Sequence, residues 1–193
     1  MKLRKLLVLI MCAVLVTVGG VYATWNYAMG QIQSYNANIV KPVMANAVLD
    51  ASIGTLKVDT RNLSVRIDDA NNDKVAELVI DGYVLIVFAP HADADPDIIA
   101  NGIDLKYTIE KAADINNTFA GTEVFTFTTQ AGTTGNNFTA GTEAGTLEYT
   151  IDASVFQAAL GINQTSLPTY DDYQAFQSWI PNNLLKITIE AAT

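Results

Sequence analysis

The chain predicts an all-β domain: an antiparallel sandwich, jelly-roll-like, with one or two short helices near its C-terminus. Three observations lead there. Apolar residues recur with a period of two along most of the chain, polar turn-forming clusters separate these stretches, and no helical pattern alternates with them. Length agrees, since 193 residues that are 50% hydrophobic can enclose one core.

Taken in order, Leu56 to Asp59, Leu63 to Asp68 and Leu105 to Glu110 alternate apolar with polar, as a strand does when one face lies in a core. Val124 to Thr128, Leu147 to Ile151 and Leu185 to Glu190 do the same. Val79-Ile80 and Tyr83 to Phe88 are more continuously apolar and read as central strands, or a hairpin, split by Asp81-Gly82. Turns are expected at 68–73, 91–97, 116–117 and 132–137, where Asp, Asn, Gly and Pro gather. Ala153 to Leu160 predicts a brief helix ended by Gly161. Thr169 can N-cap a second helix with Asp172 three positions on. Tyr173, Phe176 and Ile180 then fall on one face as a lid over the sandwich, and Pro181 stops the helix. Phe119 to Glu123 is echoed by Phe138 to Glu143, which reads as two similar entries into neighbouring strands.

The N-terminus is organised differently. Met1 to Lys5 is a short basic head, Leu6 to Val18 is almost wholly apolar, and Gly19 to Ala23 is a small-residue exit, the three parts of a secretory signal. Val21 and Ala23 suit the −3 and −1 pockets of a signal peptidase, so cleavage is expected before Thr24. The alternative is an uncleaved anchor, because Leu6 to Val21 falls between the length of a signal core and the ~20 residues of a span. Residues 1–23 are thus read as a signal peptide, 24–38 as a mature N-terminal segment and 39–193 as the sandwich domain. The membrane is met only through the signal, and the rest is expected outside the cell or at its surface.

Composition narrows the function. Removing Lys2, Arg4 and Lys5 from the 11 basic residues leaves eight against 20 acidic ones, a net charge of −12. Such a surface repels nucleic acid, which is therefore not an expected partner. The single cysteine, Cys12, lies in the signal, so the mature chain has neither a disulfide framework nor a thiolate metal site. One histidine, His91, rules out a two-histidine zinc motif, and its Asp-rich surroundings make it an exposed loop residue. No phosphate-cradling or dinucleotide motif appears, no carboxylate pair is singled out, and no catalytic residue is assigned. Calcium is the one ion with a local argument, and no other cofactor is expected. Asp93, Asp95 and Asp97 alternate on a turn with Asp104 further on, and 69–73 offers a second acidic loop, hard oxygen ligands of the kind calcium takes. Ile98 and Lys74 stand where an EF-hand loop has glycine, so a solvated acidic turn is the other reading.

The segment Val18-Gly19-Gly20-Val21-Tyr22-Ala23-Thr24-Trp25 resembles the processing region of the TasA/camelysin group, exported bacterial proteins cut by a SipW-type signal peptidase. Gly19, Gly20, Ala23 and Trp25 match the group's Gly-Gly-x-x-Ala-x-aromatic pattern, while Asn26, Tyr27 and Ala28 follow where an acidic residue is often found. The resemblance covers about the first 28 residues. It implies a jelly-roll-like subunit of a biofilm or cell-surface fibre, and a SipW-type or general signal peptidase as processing partner.

On that basis the new N-terminus is expected to assemble copies. Trp25, Tyr27, Ile32 and Tyr35 stand among polar residues, and such a segment can pair as a strand along the edge of a neighbouring sandwich. Head-to-tail donation does not close, so it grows filaments. Two readings compete: the segment packs on its own domain as a first strand, or the protein is a monomeric surface module binding a glycan or protein through Trp179 or exposed tyrosines.

Overall fold

A computed structural model of the chain describes residues 43–68, 73–135 and 137–192. The signal with Val21, Ala23 and Thr24, the segment carrying Trp25, Tyr27, Ile32 and Tyr35, and the loop residues 69–72 lie outside the described residues.

The first elements in chain order are β1 (Met44–Val48), β2 (Gly54–Asp59), β3 (Leu63–Asp68), β4 (Val75–Pro90), α1 (Pro96–Asn101) and β5 (Leu105–Lys111). Next come β6 (Thr118–Phe119), β7 (Thr122–Glu123), β8 (Phe125–Phe127), β9 (Gln130–Thr133), β10 (Thr139–Ala140) and β11 (Leu147–Asp152). The chain continues through α2 (Ala153–Ala159), β12 (Leu160–Ile162), β13 (Thr165–Ser166), α3 (Tyr170–Trp179) and β14 (Leu185–Ala191). The class is all-β, as the periodicity predicts.

Asp81-Gly82 does not end a strand. β4 runs unbroken for 16 residues. Ala76, Ile80, Val84, Ile86 and Phe88 are buried on one face of it, and Gly82 falls on that face without a side chain. The dipeptide imitates a turn because Gly82 sits at φ +92°, and a Cβ there would run into the Asn62 carbonyl. β3 pairs antiparallel with Glu77 to Gly82 and β2 with Leu85 to Pro90. Between them Thr60, Arg61 and Asn62 oppose only Tyr83 and Val84, a bulge of one residue. The Asp59 carboxylate spans this bulge, accepting from the Arg61 backbone N–H at 3.0 Å and from its Nε at 2.9 Å. Leu85 to Phe88 pair with β2 and also with β11, so those strands flank β4 on opposite sides. β10 continues beyond β11, and β13 adds to Val75 and Ala76.

The second sheet has the order β1-β14-β5-β9. β14 pairs antiparallel with β5, and β5 with β9, but β1 runs parallel to β14. That departs from the expected purely antiparallel sandwich. β1 leads into β2 of the other sheet, so no tight hairpin dictates its direction beside β14. Leu63, Val65, Ile80, Val84 and Ile86 from the first sheet share one core with Leu105, Ile109, Leu185, Ile187 and Ile189 from the second. The strand orders do not by themselves make the two sheets a jelly roll.

Helices α2 and α3 fall where the sequence places them. Thr169 Oγ1 accepts from Asp172 N at 3.2 Å, and Asp172 Oδ2 accepts from Thr169 N at 3.1 Å, the reciprocal cap expected there. Tyr173, Phe176 and Ile180 are buried in the core, as the stripe predicts. Each such side chain contributes roughly 1.5–3 kcal/mol by leaving water. Two details differ. α1, capped by Asp95 with Pro96 in its first turn, begins inside the turn expected at 91–97, and β9 occupies part of the expected 132–137 turn. The echoed motifs also separate: Phe119 to Glu123 is a hairpin of β6 and β7 turning at Ala120 and Gly121, while Phe138 to Glu143 contains β10, which pairs with β11.

Two tests follow from β4 and its bulge. Gly82→Ala should lower unfolding stability by about 2 kcal/mol or more in urea denaturation, since it adds backbone strain and a clash; unchanged stability would mean the backbone there is not held at positive φ. Hydrogen bonding from Arg61 pulls the Asp59 pKa down to about 2. A depressed carboxylate stabilises above its unfolded pKa and loses that stabilisation as pH falls through its folded value. The Asp59→Asn protein should therefore be less stable than the parent at pH 6, and the difference should shrink between about pH 4 and pH 2.

Candidate functional site

The expected calcium ligands do not form one cluster. Asp95 Oδ1 accepts from Asp97 N at 2.9 Å as the cap of α1, and Asp97 Oδ1 accepts from Asn101 Nδ2 at 2.7 Å. Asp93 is almost fully exposed beside His91, whose Nδ1 accepts from Asp93 N at 3.2 Å. Asp104 lies beyond α1, its carbonyl accepting from Ala192 N at 3.0 Å. Among the described residues no group of three or more His, Cys, Asp or Glu side chains is placed to hold a metal ion. In the second acidic loop, Asp73 Oδ1 accepts from Val75 N at 3.0 Å, while 69–72 are outside the described residues. His91 is half exposed, the loop position expected of it.

Trp179, through which the alternative binding-module reading would meet a ligand, is packed into the protein. It stacks on Phe125 with centroids 5.9 Å apart and planes within 8°, and meets Phe119 at 5.1 Å and Phe176 at 5.5 Å. Those contacts join α3 to β6 and β8 as an aromatic clasp packed against the core. Of the tyrosines, Tyr83 on β4 is exposed at 38%.

The feature without a structural explanation is the edge at β1. Met44–Val48 is a strand with all its side chains exposed. Its register sets Met44, Asn46 and Val48 beside Lys186, Thr188 and Glu190 on the outer face. Ala45 and Ala47 therefore lie on the inner face beside Ile187 and Ile189, which are fully buried while the two alanines are not. The core stops at β14, and β1 projects past it. Val43, just before β1, is buried and anchors its start. Among the described residues no strand pairs with the outer edge of β1.

Sheet edges are usually blunted by Lys, Pro or inward-pointing charge, and Met-Ala-Asn-Ala-Val has none of these. Met44 and Val48 are, moreover, two of the large apolar residues left exposed, at 49% and 59%. Chemically the site offers a row of backbone donors and acceptors with an apolar fringe, which suits the addition of a strand and not a covalent reaction. Sequence reasoning missed β1 because alanine is a poor strand former and the segment has no buried alternating face to reveal it. The one available signal was negative, an uncharged run between Lys41-Pro42 and Asp50.

Amide exchange tests how loosely β1 is held. Its amides should exchange by local opening at a rate nearly independent of denaturant, while Ile109 and Ile187 exchange only on global unfolding; equal protection would make β1 an integral part of the domain.

No family model matches the chain, and neither a curated protein nor a solved structure matches it.

Proposed function

We propose that the protein is an exported cell-surface or biofilm-matrix subunit that forms fibres by strand addition between copies, the N-terminal segment of one copy pairing along an edge of the next. The observation that carries this reading is the uncharged β1 edge with every side chain exposed. An edge of that kind is a template for another strand, and a soluble monomer ordinarily protects it.

Three further features support it. The signal-like leader supports export from the cytoplasm, and its removal by a SipW-type or general signal peptidase would free the segment from the membrane. The segment bearing Trp25, Tyr27, Ile32 and Tyr35 runs into Val43 and β1 after only a few residues, so donor and open edge are close in the chain. Strand addition directed from one copy to the next is heterologous and open-ended, which gives filaments instead of closed rings. The monomeric binding module has less to support it, because Trp179 is committed to the aromatic clasp.

Electron microscopy of the chain beginning at Thr24 should show filaments. Deletion of residues 24–38 should abolish them, and Ala47→Lys, which puts an inward-pointing charge on the edge, should shorten or prevent them while leaving the thermal midpoint within a few degrees. Filaments from the deleted form would overturn donation by this segment, and monomers under every condition would favour the binding module. A calcium requirement for assembly would give the Asp93 to Asp97 turn a ligand role.

A further inference from the structure

The two central strands of the second sheet carry the same pattern on their outer face. β5 reads Lys106-Tyr107-Thr108-Ile109-Glu110 and β14 reads Lys186-Ile187-Thr188-Ile189-Glu190. Because they pair antiparallel, Lys186 stands beside Glu110, Thr188 beside Thr108 and Glu190 beside Lys106. Lys186 Nζ lies 3.3 Å from Glu110 Oε1, and Lys106 Nζ lies 4.0 Å from Glu190 Oε1. Ile109, Ile187 and Ile189 are buried on the other face, so these Lys, Thr and Glu residues lie on the outer face, the two threonines half-buried there and the Thr188 hydroxyl oxygen out of reach of water. The outcome is a square of charges with like signs on its diagonals and two threonines between.

We propose that this outer face docks on the same face of a second copy of the chain. Turn the square over onto itself about an in-plane axis, either along the strands or across them, and every Lys meets a Glu. A face that is its own electrostatic complement is what a two-fold interface requires, because each patch contacts its own copy. The face is also locally neutral, whereas the chain as a whole carries −9. Two copies approaching by most other surfaces repel one another, and this approach avoids that cost. Met44 and Val48 lie along the β1 side of the same face, next to Lys186 and Glu190, and Ala131 lies on its β9 side beside Thr108. These side chains supply apolar flanks that a second copy would cover.

Size limits the strength. Four strands spaced about 4.8 Å apart and five residues long present about 300 Å² in plan, well under the ~800 Å² per partner of a standard stable complex. Two free copies therefore bind weakly, and the contact gains strength when many copies are held in a row, as avidity multiplies a weak site. The proposal goes beyond strand addition, which uses the edge of β1, and stands without it.

Sedimentation velocity on the chain beginning at Thr24 tests it, with two double variants. Lys106→Glu with Lys186→Glu makes the square all acidic, and Glu110→Lys with Glu190→Lys makes it all basic. The unaltered chain should associate weakly at low salt and less at about 0.5 M salt. Each variant alone, shown folded by circular dichroism, should associate about tenfold less, and an equal mixture of the two should regain the association. Variants that associate like the parent, a parent monomeric at every concentration, or a mixture of folded variants that stays monomeric would each overturn the proposal. Where filaments form, polymer length reads strand addition and side-by-side pairing of filaments reads this face, so either can fail without the other.

Discussion

Backbone pairing along β4 organises the molecule. That single strand hydrogen-bonds to β2 and β3 along one side and to β11 and β13 along the other, and its alternate side chains fill the core from Ala76 to Phe88. A strand of this length must stay in register over many residues, because a slip of one would turn every buried side chain to solvent. Two local devices make that compatible with sheet twist. Gly82 permits a close approach to the Asn62 carbonyl, and the extra residue at Thr60 to Asn62 lets the flanking chain bend without losing its place. Once β4 is set, the second sheet has a surface to cover, and Ile187 and Ile189 of β14 are buried against it at 0% exposure.

The same burial explains why the sheet is finished so unevenly. β14 and β5 lie over the core and are held by it, and β9 is tied to β5 through the Thr134 hydroxyl, which accepts from Leu105 N at 2.9 Å. β1 lies outside that overlap. Its backbone pairs with β14, yet among the described residues neither of its faces is covered, so its hydrogen bonds work against water with little apolar burial behind them. An element held in that way is the one most readily replaced or extended by an equivalent strand, which is the physical content of the assembly reading. The neutral Lys-Glu lattice beside it belongs to the same sheet, so end-to-end growth and side-by-side association would use adjoining surfaces without competing for one.

An aromatic clasp packs against the same core. Trp179, Phe176, Phe119 and Phe125 bring together α3, the β6-β7 hairpin and β8, elements that the sheets alone would leave loosely attached. Of these, the α3 stripe and the β8 strand were legible in advance, because periods near four and of two are local properties of a few residues. That Trp179 meets Phe125, more than fifty residues earlier in the chain, is not encoded in any local pattern, and an isolated tryptophan near a helix end looks equally like a ligand contact.

The amino-acid sequence by itself determined what depends on neighbours along the chain. Alternation in β2, β3, β5, β11 and β14 specified strands, since one face had to leave water; Thr169 and Asp172 specified the start of α3, since each bonds the other's backbone within one turn. The leader, the acidity and the lack of cysteine beyond it bounded the expected function in the same way. Tertiary structure alone decided what depends on distant partners: that Asp81-Gly82 continues a strand, that Asp95 caps a helix and Asp97 bonds Asn101 within it instead of joining Asp104, that β1 runs parallel to β14, and that two Lys-x-Thr-Ile-Glu segments lie antiparallel. In each case the local chemistry allows more than one outcome. Burial against residues far away in the chain selects between them, and burial is a property of the packed whole.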